Sequence, residues 1–140
     1  SQFKQWKKAV EIDPDDKSAL SNLARTLTQA NSPEAPEYMA RLQALQQQQQ
    51  ITDRVKQLNN FAIRAAEAKK WDEAVRQLKE AIDVCGKCVQ LGVLRKNAGL
   101  IYVEQGDVLH AREELERAQR LLPEGPDLAA VRQALEQLRP

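Results

Sequence analysis

The sequence is poor in aromatic side chains and glycine, and it has no excess of charge of either sign. Aromatic residues make up 4% of its 140 residues, which include five glycines and six prolines. With 21 basic and 20 acidic side chains the formal net charge is only +1, whereas a nucleic-acid-binding protein usually carries a basic excess on one face. No apolar run reaches the roughly 18 residues that a membrane span needs. We therefore expect neither nucleic-acid binding nor membrane insertion.

The residues that are abundant point to helices. Ala, Leu, Gln, Glu, Lys and Arg dominate the sequence, and this composition is typical of an all-α protein. The chain starts with a polar, amphipathic helical pattern rather than a signal peptide. We therefore expect Ser1 to be the cut end of a longer protein.

A pattern with a fixed period runs along the chain. Asn22, Asn60 and Asn97 each precede a similar stretch and are separated by 38 and then 37 residues. Downstream, residues 71–74 align with residues 108–111, and the apolar pair of each second helix recurs as well. Helix hairpins of this kind cannot bury their apolar faces alone, so they stack on one another.

Stop signals divide the pattern into helices. Pro14 and Pro123 each follow the end of a second helix, where proline cannot continue the hydrogen-bond ladder. Gly106 and Asp107 supply a left-handed turn in the last hairpin, whereas Lys69 and Lys70 at the equivalent place give no clear turn signal. The predicted helices cover residues 2–12, 16–30, 34–68 with a possible break, 71–84, 89–105, 108–122 and 126–138.

The stretch from Gly92 to Gly125 resembles the tetratricopeptide repeat family. The matching positions are Gly99, Tyr102, Gly106, Asp107, Ala111, Leu115, Ala118 and Pro123. The resemblance implies an all-α fold, an α-solenoid of stacked helix hairpins with a C-terminal capping helix. We expect a single helical-repeat domain over 1–140. Its expected parts are a partial repeat at 1–16, repeats at about 17–54, 55–91 and 92–125, and a capping helix at 126–140.

The segment from residue 34 to 68 leaves three interpretations open. Its apolar stripe is interrupted by Gln46–Gln50 and then resumes, and no glycine or proline follows Pro36 within it. A single helix would run about 33 residues and roughly 50 Å. A turn inside the glutamine run would instead give two antiparallel helices. In a third interpretation the extended helix pairs with a second copy, which makes a homo-oligomer an alternative.

Cys85 and Cys88 form a Cys-Gly-Lys-Cys motif, and these are the only cysteines. The spacing is compatible with a local disulfide, with two free thiols, or with metal or redox chemistry. A structural zinc site needs further ligands, yet His110 is the only histidine. We expect a structural disulfide and no metal or cofactor. A disulfide would favour an extracytoplasmic, oxidising setting, periplasmic or secreted, although the sequence leaves the localisation unknown.

Residues that could perform catalysis are scarce. His110 is expected to face solvent, and no serine or cysteine has a recognisable base beside it. No glycine-rich phosphate-binding loop is present, and the charges on the last hairpin alternate as helix-surface ion pairs do. We therefore expect a protein that is not an enzyme.

The resemblance also implies a binding surface. In tetratricopeptide repeats the first helices line the concave face, and asparagines at the positions of Asn22, Asn60 and Asn97 contact the backbone of an extended peptide. A carboxamide can do so because it both donates and accepts hydrogen bonds. Bonding between neighbouring helices is the alternative role. The predicted peptide-binding residues are Asn22, Asn60, Asn97, Lys56, Ile63, Lys96, Leu100 and Glu104, and flanking positions such as Glu67 would add selectivity.

The sequence thus predicts a non-catalytic interaction or scaffold module that binds a partner peptide or helix on its concave face. Self-assembly through residues 36–68 is the alternative. A redox or metal-binding protein using Cys85 and Cys88 is a third hypothesis.

Overall fold

The computed structural model describes residues 1–140 and contains seven helices and no strand. The helices are α1 (Gln2–Ile12), α2 (Lys17–Gln29), α3 (Ala35–Glu67), α4 (Trp71–Cys85), α5 (Leu91–Gln105), α6 (Val108–Leu121) and α7 (Pro126–Gln137). The all-α prediction is confirmed, and every predicted helix is present with ends that differ by at most two residues. No helix combines the length and the apolar character that crossing a membrane requires.

Helix α3 is continuous through the glutamine run and has 33 residues. Proline is confined to its first turn, at Pro36, where the missing N–H costs no helical hydrogen bond. Glutamine is a good helix former, so nothing in Gln46–Gln50 ends the helix. Of the interpretations left open by the sequence, the single continuous helix is correct, and the turn in the glutamine run is wrong.

The chain divides into two compact units, Ser1–Gln50 and Ile51–Pro140. In the first unit, α1 packs on α2, and both bury apolar side chains with the first part of α3. The buried residues are Val10, Ala19, Leu20, Leu23, Ala24, Leu27, Ala35 and Leu42. Asp16 caps α2 by accepting a hydrogen bond from the backbone N–H of Ala19 at 3.0 Å.

The second unit stacks its helices in chain order. Helix α4 packs on α5, α5 on α6, and α6 on α7, while the part of α3 after Ile51 shares a core with α4 and α5. The fully buried side chains of this core include Val55, Leu58, Leu78 and Leu94. Helix α7 covers the far side of α6 through a separate cluster that contains Leu115 and Val131, as expected of a capping helix.

The apolar stripe of α3 is covered inside the chain. Leu42 is buried in the first unit, and Val55, Leu58 and Ala62 are buried in the second. Burial of this stripe therefore does not require a second copy of the chain.

Candidate functional site

The second unit carries a mostly apolar groove between α3 and α5. Its volume is about 350 Å³. Its lining comes from the last turns of α3, the first residue of α4 and one face of α5. The lining residues are Ile63, Ala66, Glu67, Trp71, Asn97, Leu100, Ile101 and Glu104. No basic side chain is among them.

Helical spacing explains why these side chains meet. Ile63 and Glu67 lie four residues apart on α3 and therefore share a face. On α5, Asn97, Leu100 and Glu104 follow at intervals of three and four residues, so they form a second stripe. The neighbouring stripe of α3, with Ala62 buried, packs into the core and fixes the orientation of the helix.

Asn97 is tied to the neighbouring helix by one hydrogen bond. Its Nδ2 atom donates to Oδ1 of Asn59 at 2.9 Å. The other Nδ2 hydrogen and the Oδ1 atom of Asn97 have no bond within the chain. One asparagine thus connects two helices and still offers a donor and an acceptor.

Four of the predicted peptide-binding residues come together in this groove. Ile63 lies on α3, and Asn97, Leu100 and Glu104 lie on α5. Ile63 exposes 41% of its surface although it is a large apolar residue. Glu67, predicted as a flanking residue, also lines the groove.

The other predicted binding residues lie elsewhere. Lys96 is directed to α7, where its Nζ atom lies 2.6 Å from Oδ1 of Asp127, and only 16% of its side chain is exposed. Lys56 and Asn60 are exposed on α3 but do not line the groove. Asn22 belongs to the first unit, where its Oδ1 accepts a hydrogen bond from Nη2 of Arg25 at 3.1 Å. Binding by these four residues stays a prediction.

The sequence analysis did not identify three residues that line the groove or the residue that hydrogen-bonds to Asn97. Ala66, Trp71 and Ile101 line the groove without having been assigned to binding. Asn59 holds Asn97, although the repeat aligns Asn97 with Asn60. Alignment of repeats identifies equivalent positions, whereas contact between helices depends on how they are offset. The adjacent pair Asn59 and Asn60 was the only signal of this ambiguity.

The two cysteines form the predicted disulfide. Cys85 ends α4 and bonds to Cys88, with 5.1 Å between the Cα atoms. Cys85 is buried in the core of the second unit, and Gly86 adopts a φ of 61° in the short loop between them. The disulfide leaves neither sulfur as a thiolate that could bind a metal.

His110 has a local structural role. Its ring stacks on Tyr102 with 5.2 Å between the centroids, and its Nδ1 lies 2.7 Å from Oδ2 of Asp107. Asp107 caps α6 by accepting a hydrogen bond from the backbone N–H of His110, and this bond is the main cause that lowers the pKa of the Asp107 carboxyl. The His110 side chain is 61% exposed, in agreement with the expectation that it faces solvent.

Comparison with known proteins supports the repeat and the fold. A sequence model described as the tetratricopeptide repeat matches residues 55–87, which include the end of α3 and all of α4. No curated protein matches the chain. The solved structure of Pseudomonas aeruginosa PilF has a similar fold, with a TM-score of 0.50 and 24% sequence identity. The similarity covers 97% of this chain and 63% of PilF, so the chain spans less than two thirds of that protein. The comparisons therefore identify a tetratricopeptide repeat at residues 55–87 and an overall helical fold similar to that of PilF.

Proposed function

We propose that the chain is a non-catalytic interaction module and that the groove between α3 and α5 binds a segment of a partner protein. The observation that carries the proposal is the meeting of Ile63, Asn97, Leu100 and Glu104 around one mostly apolar groove. Tetratricopeptide repeats support a scaffold role in general. The groove is the location that we propose for that role, within the second unit.

The groove suits an apolar side chain better than a small-molecule substrate. At about 350 Å³ it lies near the lower limit of typical ligand pockets, which hold about 300–1,000 Å³. Burying one or two partner side chains against Ile63 and Leu100 would supply the affinity. The unpaired donor and acceptor of Asn97 would bond to the partner backbone and orient it.

The arrangement of polar groups supports a non-catalytic role. His110 and Asp107 are committed to the cap of α6. The groove itself contains no histidine, cysteine or serine that could act as a nucleophile. We therefore propose recognition rather than reaction as its function.

Two residues of α3 provide a matched test of the groove. Ile63 and Phe61 are 41% and 40% exposed, but only Ile63 lines the groove. Peptides selected from a random displayed library against the full chain should lose at least about tenfold in affinity on Ile63→Ser, because a buried apolar side chain contributes about 1.5–3 kcal/mol. Phe61→Ser should leave the affinity within about twofold. Calorimetric titration measures both, and equal losses in the two variants would contradict the proposal.

Asn97 offers a second comparison within the same experiment. Asn97→Ala should weaken the selected peptides by about five- to tenfold, which corresponds to about one hydrogen bond. Asn60→Ala tests the competing site, because Asn60 is exposed outside the groove. A loss on Asn97→Ala alone supports the groove, whereas a loss on Asn60→Ala alone would contradict it. Thermal unfolding of both variants separates loss of binding from loss of the Asn59 contact.

Self-assembly is the second candidate function, and the exposed Phe61 on α3 is the observation that favours it. Phe61 lines a shallow depression of about 370 Å³ between α3 and α4 that also contains Ala65 and Lys70. A dimer formed there would dissociate on dilution, and the Phe61→Ser variant would not form it. Light scattering over a range of concentrations tests this, and a constant monomer mass would contradict self-assembly.

A further inference from the structure

The groove has an acidic rim with no basic residue to neutralise it. Glu67 on α3 and Glu104 on α5 line it, and both are exposed. Neither carboxylate forms an ion pair or a hydrogen bond within the chain. Some other carboxylates of the second unit are paired, as Glu114 is with Arg95 at 3.0 Å, whereas those of Glu67 and Glu104 remain available to a partner.

The unpaired carboxylates limit which partner the groove accepts. A neutral apolar segment that covered the floor would remove water from Glu67 and Glu104 without replacing it, and this desolvation is unfavourable. An acidic segment or a terminal carboxylate would add repulsion between like charges. A lysine or arginine beside the apolar side chain would compensate both carboxylates.

Trp71 adds a further reason for a cation. Its half-buried side chain lines the groove from the start of α4. The methylene stem of a lysine or arginine can pack on such a ring while its charged group reaches a carboxylate. On the adjoining surface, which also includes Trp71, lie Lys69 and Lys70. The acidic character is therefore local to the groove.

We propose, building on the function proposed above, that the groove recognises a partner segment in which an apolar side chain is flanked by lysine or arginine. The apolar side chain contacts Ile63 and Leu100. The cation lies between Glu67 and Glu104, and the amide of Asn97 bonds to the backbone of the segment. Recognition of a basic, apolar segment follows from this arrangement of charge and apolar surface.

Defined peptides test the charge preference directly. Each short peptide has blocked ends and a central leucine flanked by lysines, glutamines or glutamates. The probe is the indole N–H resonance of Trp71 in the full chain, and the resonance of Trp6 in the first unit is the internal control. The lysine peptide should bind about 3- to 10-fold more tightly than the glutamine peptide, and the glutamate peptide most weakly. The lysine preference should shrink at high salt.

Charge reversal on the protein provides the matched variants. Glu67→Lys combined with Glu104→Lys should reverse the order, so that the glutamate peptide binds best. Glu113→Lys changes an exposed carboxylate on α6 outside the groove and should leave the order unchanged. Both positions of the double variant are exposed, and circular dichroism checks that the fold is retained.

The outcomes separate this inference from the proposed function. Equal binding of the three peptides, with loss on Ile63→Ser, would overturn the charge preference and leave the groove in place as the binding site. Binding that is unaffected by Ile63→Ser would overturn the proposed function itself. A Trp71 resonance that shifts with protein concentration alone would mean that a second copy occupies the groove, which would also overturn the inference.

Discussion

At the scale of single residues, two turns that occupy equivalent positions in successive repeats use different residues. Gly106 ends α5 with a φ of 79°, as its sequence position predicts. At the equivalent place Lys69 has a φ of 59°, although lysine is rarely left-handed. The sequence predicted a turn between residues 68 and 71 but not its left-handed geometry, because that geometry is imposed by the packing of α3 on α4 and not by the residue.

The strain at Lys69 leads to a stabilising substitution. A side chain in the left-handed region costs about 1–2 kcal/mol. Glycine removes this cost, but its greater freedom in the unfolded chain offsets part of the gain. We expect Lys69→Gly to raise the free energy of unfolding by about 0.5–1 kcal/mol in urea denaturation. Ala68→Gly is the control and should lower it, since Ala68 is not left-handed. A lower free energy of unfolding in Lys69→Gly would contradict the interpretation that Lys69 is strained in this turn.

Gly99 permits the close approach of α5 and α6. A Cβ atom at this position would lie 2.6 Å from Cγ of Leu115 and 3.3 Å from its backbone N. Gly99→Ala should therefore lower the free energy of unfolding by about 1–3 kcal/mol, the usual cost of overpacking a core. Combining it with Leu115→Ala should give a loss smaller than the sum of the two single losses, because the clash is removed. Full additivity in denaturation measurements would show that the two residues do not meet.

At the scale of helices, the sequence predicted which helices exist better than it predicted which side chains on different helices contact each other. The absence of glycine and proline after Pro36 allowed one long helix at α3 without deciding against a turn in the glutamine run, and the periodic apolar residues located the other six helices. The groove was predicted in part, because Ile63, Asn97, Leu100 and Glu104 belong to repeated faces. The positions of Trp71 and Ile101 in the groove were not predicted, because they depend on the angles between helices. Lys96 pairs with Asp127, 31 residues away, and a pairing over such a distance has no local signal.

The disulfide connects the end of α4 to the segment that precedes α5. Closing so short a loop should contribute about 2 kcal/mol in the chain-entropy account. Reduction should therefore shift the urea midpoint of the second unit to lower urea. A variant with both Cys85→Ala and Cys88→Ala should be less stable than the oxidised chain and should not respond to reductant. An unchanged midpoint on reduction would show that the loop is held by packing alone.

At the scale of the whole molecule, the repeat pattern predicted hairpins but gave no sign of two compact units. The units divide between Gln50 and Ile51, inside a helix, where no turn residue marks a boundary. The division reflects which side chains share a core, and that is a property of packing over long sequence distances. The whole groove lies within the second unit, so the proposed function concerns residues 51–140 of the chain.

The position of the proposed binding site can be mapped on the full chain by the amide and indole chemical shifts that change when a selected peptide is added. If the groove binds the peptide, the largest shifts fall on Ile63, Trp71, Asn97, Leu100 and Glu104, and Trp6 and the rest of the first unit change little. Largest shifts on the outer faces of α6 and α7, or in the first unit, would contradict binding in the groove.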